Sequence, residues 1–222
     1  IMAIGLYITY RILNLSDLTV DGSFCTGGAV CILMVAMGQP VWLAMVCAFA
    51  AGALAGAVTG ILHTLCKIPA ILAGILTQLG LWTVNMIIMG LQQGKLISTL
   101  TIPARNSNLM VSAMYLSKAL NGSKPIIFYP PLLLGIVTVL IIGVLYWFFG
   151  TEIGFTIRAT GCNENMSRAQ GINTSVAKVI ALAFSNGLVG MAGGLLSQYQ
   201  GNFDVNMGRG AIVIGLASVI IG

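Results

Sequence analysis

The chemically capable side chains of this chain are few and far apart. Among 222 residues there are five carboxylates, one histidine and five cysteines. No Gly-x4-Gly-Lys-Ser/Thr phosphate loop occurs, so the chain does not hydrolyse ATP by that route. No Gly-x-Ser-x-Gly elbow and no His-Glu-x-x-His pair appear, which argues against a membrane enzyme. Cys25, Cys31, Cys47, Cys66 and Cys162 are odd in number and form no CxxC pair. Most lie in apolar runs, where cysteine acts as a small hydrophobe, so they read as free thiols and not as metal ligands. His63 stands alone beside Lys67 and reads as structural. No catalytic residue and no metal site follow from these spacings.

Binding chemistry is better represented. Asp17 and Asp21 stand in Asn14-Leu-Ser-Asp17-Leu-Thr-Val-Asp21-Gly22, close to apolar sequence. Carboxylates there are costly unless they face water or protein. Two readings stay open: Asp21 lines a translocation path beside a Gly22 turn, or it caps the next helix. Gln78, Thr83 and Asn85 interrupt another apolar run, where polar residues face protein or a water-filled path. The third stretch is the polar island Gly154–Asn173. Asn163 is placed to cap a short helix, with Glu164 in its first turn and Arg168 in its last. Gly171 supplies a left-handed stop, and Asn173 or Thr174 caps the helix that follows. Two turns of helix do not hold alone in water. Such a helix needs a packing partner, and a soluble subunit would suit it.

The elements that must position these residues are apolar. The chain is 58% hydrophobic and 7% charged, where soluble domains carry about 25% charge. It is an integral membrane protein of all-α class, a polytopic transmembrane helix bundle of about six or seven spans or part-spans. The charge of +5 is spread over loops and forms no nucleic-acid patch. The sequence lacks an initiator Met and runs apolar to Gly222, so it reads as one transmembrane domain, 1–222, cut inside hydrophobic segments at both ends.

Residues 1–13 read as the end of a span. The uncharged run from Gly22 to Cys66 is too long for one span, and Gly38-Gln39-Pro40 divides it near 24–37 and 41–62. The first part is short enough to be tilted or re-entrant. In the second, Ala48, Gly52, Gly56 and Gly60 form a small-residue ridge for helix packing, or alternatively for a dimer contact. Further spans are expected near 69–91, 127–149 and 179–198, with a last one beginning at 210. Residues 92–126 are polar, with a helix through Leu109, Ala113, Leu116 and Leu120 expected on the extracytoplasmic surface. Residues 202–209 read as a short polar turn. Basic residues divide evenly between the two sides, so the positive-inside rule does not set the orientation.

The order Gly154, Arg158-Ala159, Gly161, Asn163, Gly171-Ile172 resembles the cytoplasmic coupling loop of ABC importer permeases of the branched-chain amino acid and ribose type. Met166-Ser167 departs from the usual pair of alanines. Asn14 to Phe24, followed by Gly27-Gly28-Ala29, resembles the segment after the first span in that family, closest to the subgroup assigned to tryptophan and tyrosine uptake. The resemblance implies a bacterial inner-membrane permease for an amino acid, with 151–178 as a cytoplasmic coupling loop. Arg158, Gly161, Asn163, Glu164, Met166, Arg168 and Gly171 would contact an ATPase subunit. Asn14, Asp17, Asp21, Gln78 and Asn85 are the path candidates. The implied partners are that ATPase, carrying the ATP and Mg, an external solute-binding protein, a second permease copy and membrane lipid; no cofactor sits in this chain. No carboxylate occurs in the expected spans 41–62, 69–91, 127–149 and 179–198, which favours energy from another subunit over ion coupling. A passive channel or secondary transporter is the alternative, and a structural subunit without a path is a third.

Overall fold

The computed structural model describes residues 1–91, 94, 96–101 and 129–221, and of 129–134 the backbone alone. The helix expected around Leu109–Leu120 lies outside the described residues. Nine helices, α1 to α9, and two short strands follow in order within them.

α1 (Met2–Tyr7) widens into a π-helical turn, Ile8–Ile12, and ends there. Asn14 takes a left-handed backbone, φ 54°. Residues 13–19 then lead without regular secondary structure into α2 (Val20–Ala36). α2 begins four residues before the expected start, so Asp21 and Gly22 lie in its first helical turn and not in a preceding loop. Its 17 residues rise about 26 Å at 1.5 Å each, short of a full bilayer core. Nearly every one of them is buried. α2 is thus the centre of the bundle, surrounded by α3, α4 and α8.

Gly38 at φ 81° and Pro40 turn the chain into α3 (Val41–Thr64). A second turn, closed by His63 Nδ1 against the Ile68 carbonyl at 2.8 Å, leads to α4 (Ala70–Gly90). His63 is therefore structural, as its isolation suggests. α3, α4 and α8 (Thr174–Gln200) are each long and apolar enough to cross a membrane. α5 (Tyr129–Phe149) joins them as a fourth if it is counted with α6 (Glu152–Cys162), from which an 80° bend separates it. The bend comes at Gly150-Thr151, where Thr151 caps α6 by accepting the Gly154 amide. α7 (Glu164–Ala169) follows.

Small residues set the closest helix crossing. A β-carbon at Gly52 would clash with the Asn186 carbonyl, and one at Gly56 with the Leu182 carbonyl. The Ala48–Gly60 ridge therefore packs α3 on α8 inside the bundle, which decides between the two uses open for it. Gly190 and Gly193 of α8 receive α3 and α2 in the same way.

After α8 the chain does not make a simple polar turn. β1 (Thr99–Thr101) pairs antiparallel with β2 (Asn202–Asp204), register Leu100 to Phe203. Phe203 is fully buried against Gly28. A 3-10 turn, Val205–Gly208, passes Cys25, and α9 (Ala211–Ile221) starts beside Asp21. This return strap runs back along α2 instead of staying at the end of the bundle.

Candidate functional site

Two places gather the polar residues. The first is at the N-terminus of α8. Asn163 Oδ1 accepts the Met166 amide at 3.1 Å and caps α7; Asn173 Oδ1 accepts the Val176 amide at 3.3 Å and caps α8. Gly171, at φ 83°, closes α7 while its amide reaches the Arg168 carbonyl. These three local signals sit where their residue types place them. Glu164 ties the short helix down. It accepts Lys178 Nζ at 2.8 Å and Arg168 Nη2 at 2.7 Å, and Arg168 Nε donates to Thr174 Oγ1 at 2.9 Å. The Lys178 hydrogen bond, aided by the two positive charges, holds the Glu164 carboxyl below its ordinary value of 4.5. Met166 projects outward, 59% exposed. His63, Lys67, Arg168 and Lys178 border the adjoining groove against the single carboxylate Glu164, leaving it basic.

Not all of the coupling candidates join that surface. Gly161 lies in α6 and packs on the Ile12 carbonyl, too close for any β-carbon. Its glycine serves packing between α6 and the π turn. Arg158 lines a separate groove with Arg11, Tyr146 and Cys162. α6 itself was readable and was missed: Thr151-Glu152 is a capping start, and Ile153 and Ile157 stand one turn apart.

The second place is at the N-terminus of α2. Asp21 Oδ2 accepts the Gly210 amide at 3.1 Å and Oδ1 the Ile212 amide at 2.8 Å. Asp21 thus caps a helix, though α9, almost two hundred residues away in sequence, and not its own. Asp17 makes the local turn instead, its Oδ1 accepting the Thr19 amide at 2.8 Å. Its Oδ2 accepts Asn186 Nδ2 at 2.6 Å, and Ser23 Oγ donates to Asn186 Oδ1. Asp17 is buried in that network, and Asn14 is exposed elsewhere. Of the five path candidates, the structure brings together three. Asp21, Gln78 and Asn85 line one cavity of about 270 Å³ with Leu79, Trp82 and Arg209.

Trp82, Arg209 and Asn186 are the residues that sequence reasoning missed. Gln78, Trp82 and Asn85 share one helical face by spacing, which was legible. Arg209 ends the stretch 202–209 expected as a polar turn, and the strap carries it to 5.7 Å from the Trp82 ring centroid. Only the tertiary path of the strap reveals that.

A family profile described as branched-chain amino acid transport system / permease component matches residues 1–222. The chain belongs to that family. It is the permease component of an ABC-type transport system and a membrane protein. It is 36% identical to a tyrosine transport system permease protein of Clostridioides difficile, over the whole chain and 68% of that protein. It is 25% identical to a ribose import permease protein of Haemophilus influenzae, over the whole chain and 64% of the relative. It is 30% identical to an autoinducer 2 import system permease protein of Yersinia pestis, over the whole chain and 58% of the relative. No solved structure matches the chain.

Proposed function

We propose that this permease carries an amino acid, of aromatic class, across the bacterial inner membrane, driven by an ATPase subunit that docks on 163–170. The observation that carries the coupling assignment is α7 itself. It is a six-residue helix capped at both ends and tied to α8 through Glu164, with Met166 left exposed. A helix that short gains its stability from what it packs on. Here it is tied to a 27-residue helix that runs through the bundle, so displacement of α7 is passed to α8. An external solute-binding protein and a second copy of the permease complete the assembly. The 36% identity to a tyrosine permease supports the aromatic class. Asp21, Gln78 and Asn85 are the path residues that the cavity favours.

Gly171→Val is the test of coupling. A β-carbon there meets no atom within 4 Å, so the cost is backbone strain alone, about 1–2 kcal/mol. The spans keep their hydrophobicity and insert. The expected result is normal membrane abundance, weakened co-purification of the ATPase and little uptake. Equal ATPase recovery and equal uptake would remove α7 from coupling.

A further inference from the structure

The cavity beside α2 carries more than a general path assignment. Asn85 is fully buried on α4, and neither its Nδ2 nor its Oδ1 has a hydrogen-bond partner among the described residues. A buried amide with both ends unpaired is rare, because it gives up its water bonds for nothing. It lines a cavity with Asp21 and Arg209. Those two opposite charges are not bonded to each other: the ion pairs among the described residues are those of Glu164. Asp21 is held by two backbone amides, one on each oxygen, which fixes its direction and leaves a lone pair free on each. Arg209 is held over the Trp82 ring, its fork of donors unmatched by any carboxylate among the described residues.

An acceptor-only group and a donor-only group across one small space are complementary to a solute that carries both charges. We infer that this cavity is a binding station for a zwitterionic α-amino acid: ammonium on Asp21, carboxylate on Arg209, polar atoms on Asn85, and side chain along Leu79 and Trp82. The juxtaposition fits a zwitterion better than the sugar that one relative's name prints. A neutral sugar would leave both charges unmatched in a partly desolvated space. A bare cation would face Arg209, and a bare anion Asp21. The volume of about 270 Å³ lies near the small end of ligand pockets. It suits one small solute.

This assignment deepens the amino acid permease reading and rests on it. The test is equilibrium binding of tritiated L-tyrosine to the full-length permease in lipid nanodiscs without ATP. The competitors are unlabelled L-tyrosine, tyramine, which lacks the carboxylate, and 3-(4-hydroxyphenyl)propionate, which lacks the ammonium. Binding should be saturable, and each analogue should compete at least about tenfold less well than L-tyrosine, the loss of one charge-assisted contact. Arg209→Gln should weaken L-tyrosine by a similar factor and leave tyramine unaffected. Asn85→Leu separates site from scaffold. If Asn85 is only a packing residue, the apolar variant melts at the same or higher temperature and binds normally. A binding role gives the same melting behaviour with binding lost.

Equal competition by all three compounds, wild-type binding by Asn85→Leu, or no saturable binding would overturn the station. ATP-driven uptake in proteoliposomes, with the ATPase and binding protein added, is scored separately. Uptake that survives Arg209→Gln and Asn85→Leu unchanged leaves the permease reading standing and the station refuted. No ATP-driven amino acid uptake by the wild type refutes the amino acid reading on which the station rests.

Discussion

Asp17 precedes α2 and Asp21 lies in its first turn, and the two hold different parts of the molecule. Asp21 spends one lone pair of each oxygen on the N-terminus of α9. Asp17 joins the 13–19 segment to α8 through Asn186. Asn186 cannot turn to suit a changed partner, because Nδ2 also donates to the Leu182 carbonyl and Oδ1 accepts from Ser23. Asp17→Asn would therefore satisfy either the Thr19 amide or Asn186, and set two donors against each other at the remaining contact. The expected cost is about 1–3 kcal/mol. It should appear as a lower melting temperature of the detergent-solubilised permease, with ATPase docking intact. Unchanged melting would mean that Asn186 finds another acceptor.

Among the described elements, α7 is one whose stability responds to a titratable, partly exposed side chain, Glu164. Glu164 has a lowered pKa because Lys178 and Arg168 favour its charged form. Its contribution is therefore present above the ordinary value of 4.5 and is lost as pH falls through the lower folded value. Between about pH 6 and 8 the docking of α7 should not change, since both values lie below that window. Glu164→Gln removes both ion pairs at once. The side chain is 34% exposed, so solvent screening limits the loss to a fraction of a kcal/mol. Amides of 163–171 should exchange faster in the variant at neutral pH, while wild-type protection, corrected for intrinsic rate, stays flat. The ends of this element were written in single residues, Asn163 and Gly171, which is why they were legible. α3, α4 and α8 were legible from apolar runs bounded by polar or proline positions. The early start of α2 was not, because a buried central helix shows no polar face to mark its first turn. Nor was the strap, since Phe203 and Arg209 are placed by pairing with β1 and by packing on α2, both remote in sequence.

For the whole molecule, the crossing of α3 and α8 is the joint on which the other contacts depend. It brings Asn186 beside Asp17 and Ser23, and Thr59 within 2.8 Å of Thr19. Lipid supplies no hydrophobic drive between helices, so close backbone approach and the dispersion it permits must hold the pair. Gly52→Ala drives one methyl into the Asn186 carbonyl. That neighbour is backbone and cannot rotate away, so the helices must separate. Overpacking of this kind costs about 1–3 kcal/mol before the polar network is counted. Separation would also stretch the Asp17–Asn186 contact, so the variant should lose both together. Gly80 provides the control on another apolar helix. A β-carbon there meets nothing within 4 Å, and Ala in place of a helical Gly is worth about 0.5–1 kcal/mol. Gly80→Ala should therefore match or exceed wild type in yield of monodisperse permease, and Gly52→Ala should fall well below it. Combining Gly52→Ala with Asp17→Asn should cost less than the sum of the two, because the first change already disturbs the contact that the second removes. Additive losses would show that the helix crossing and the buried polar network are independent.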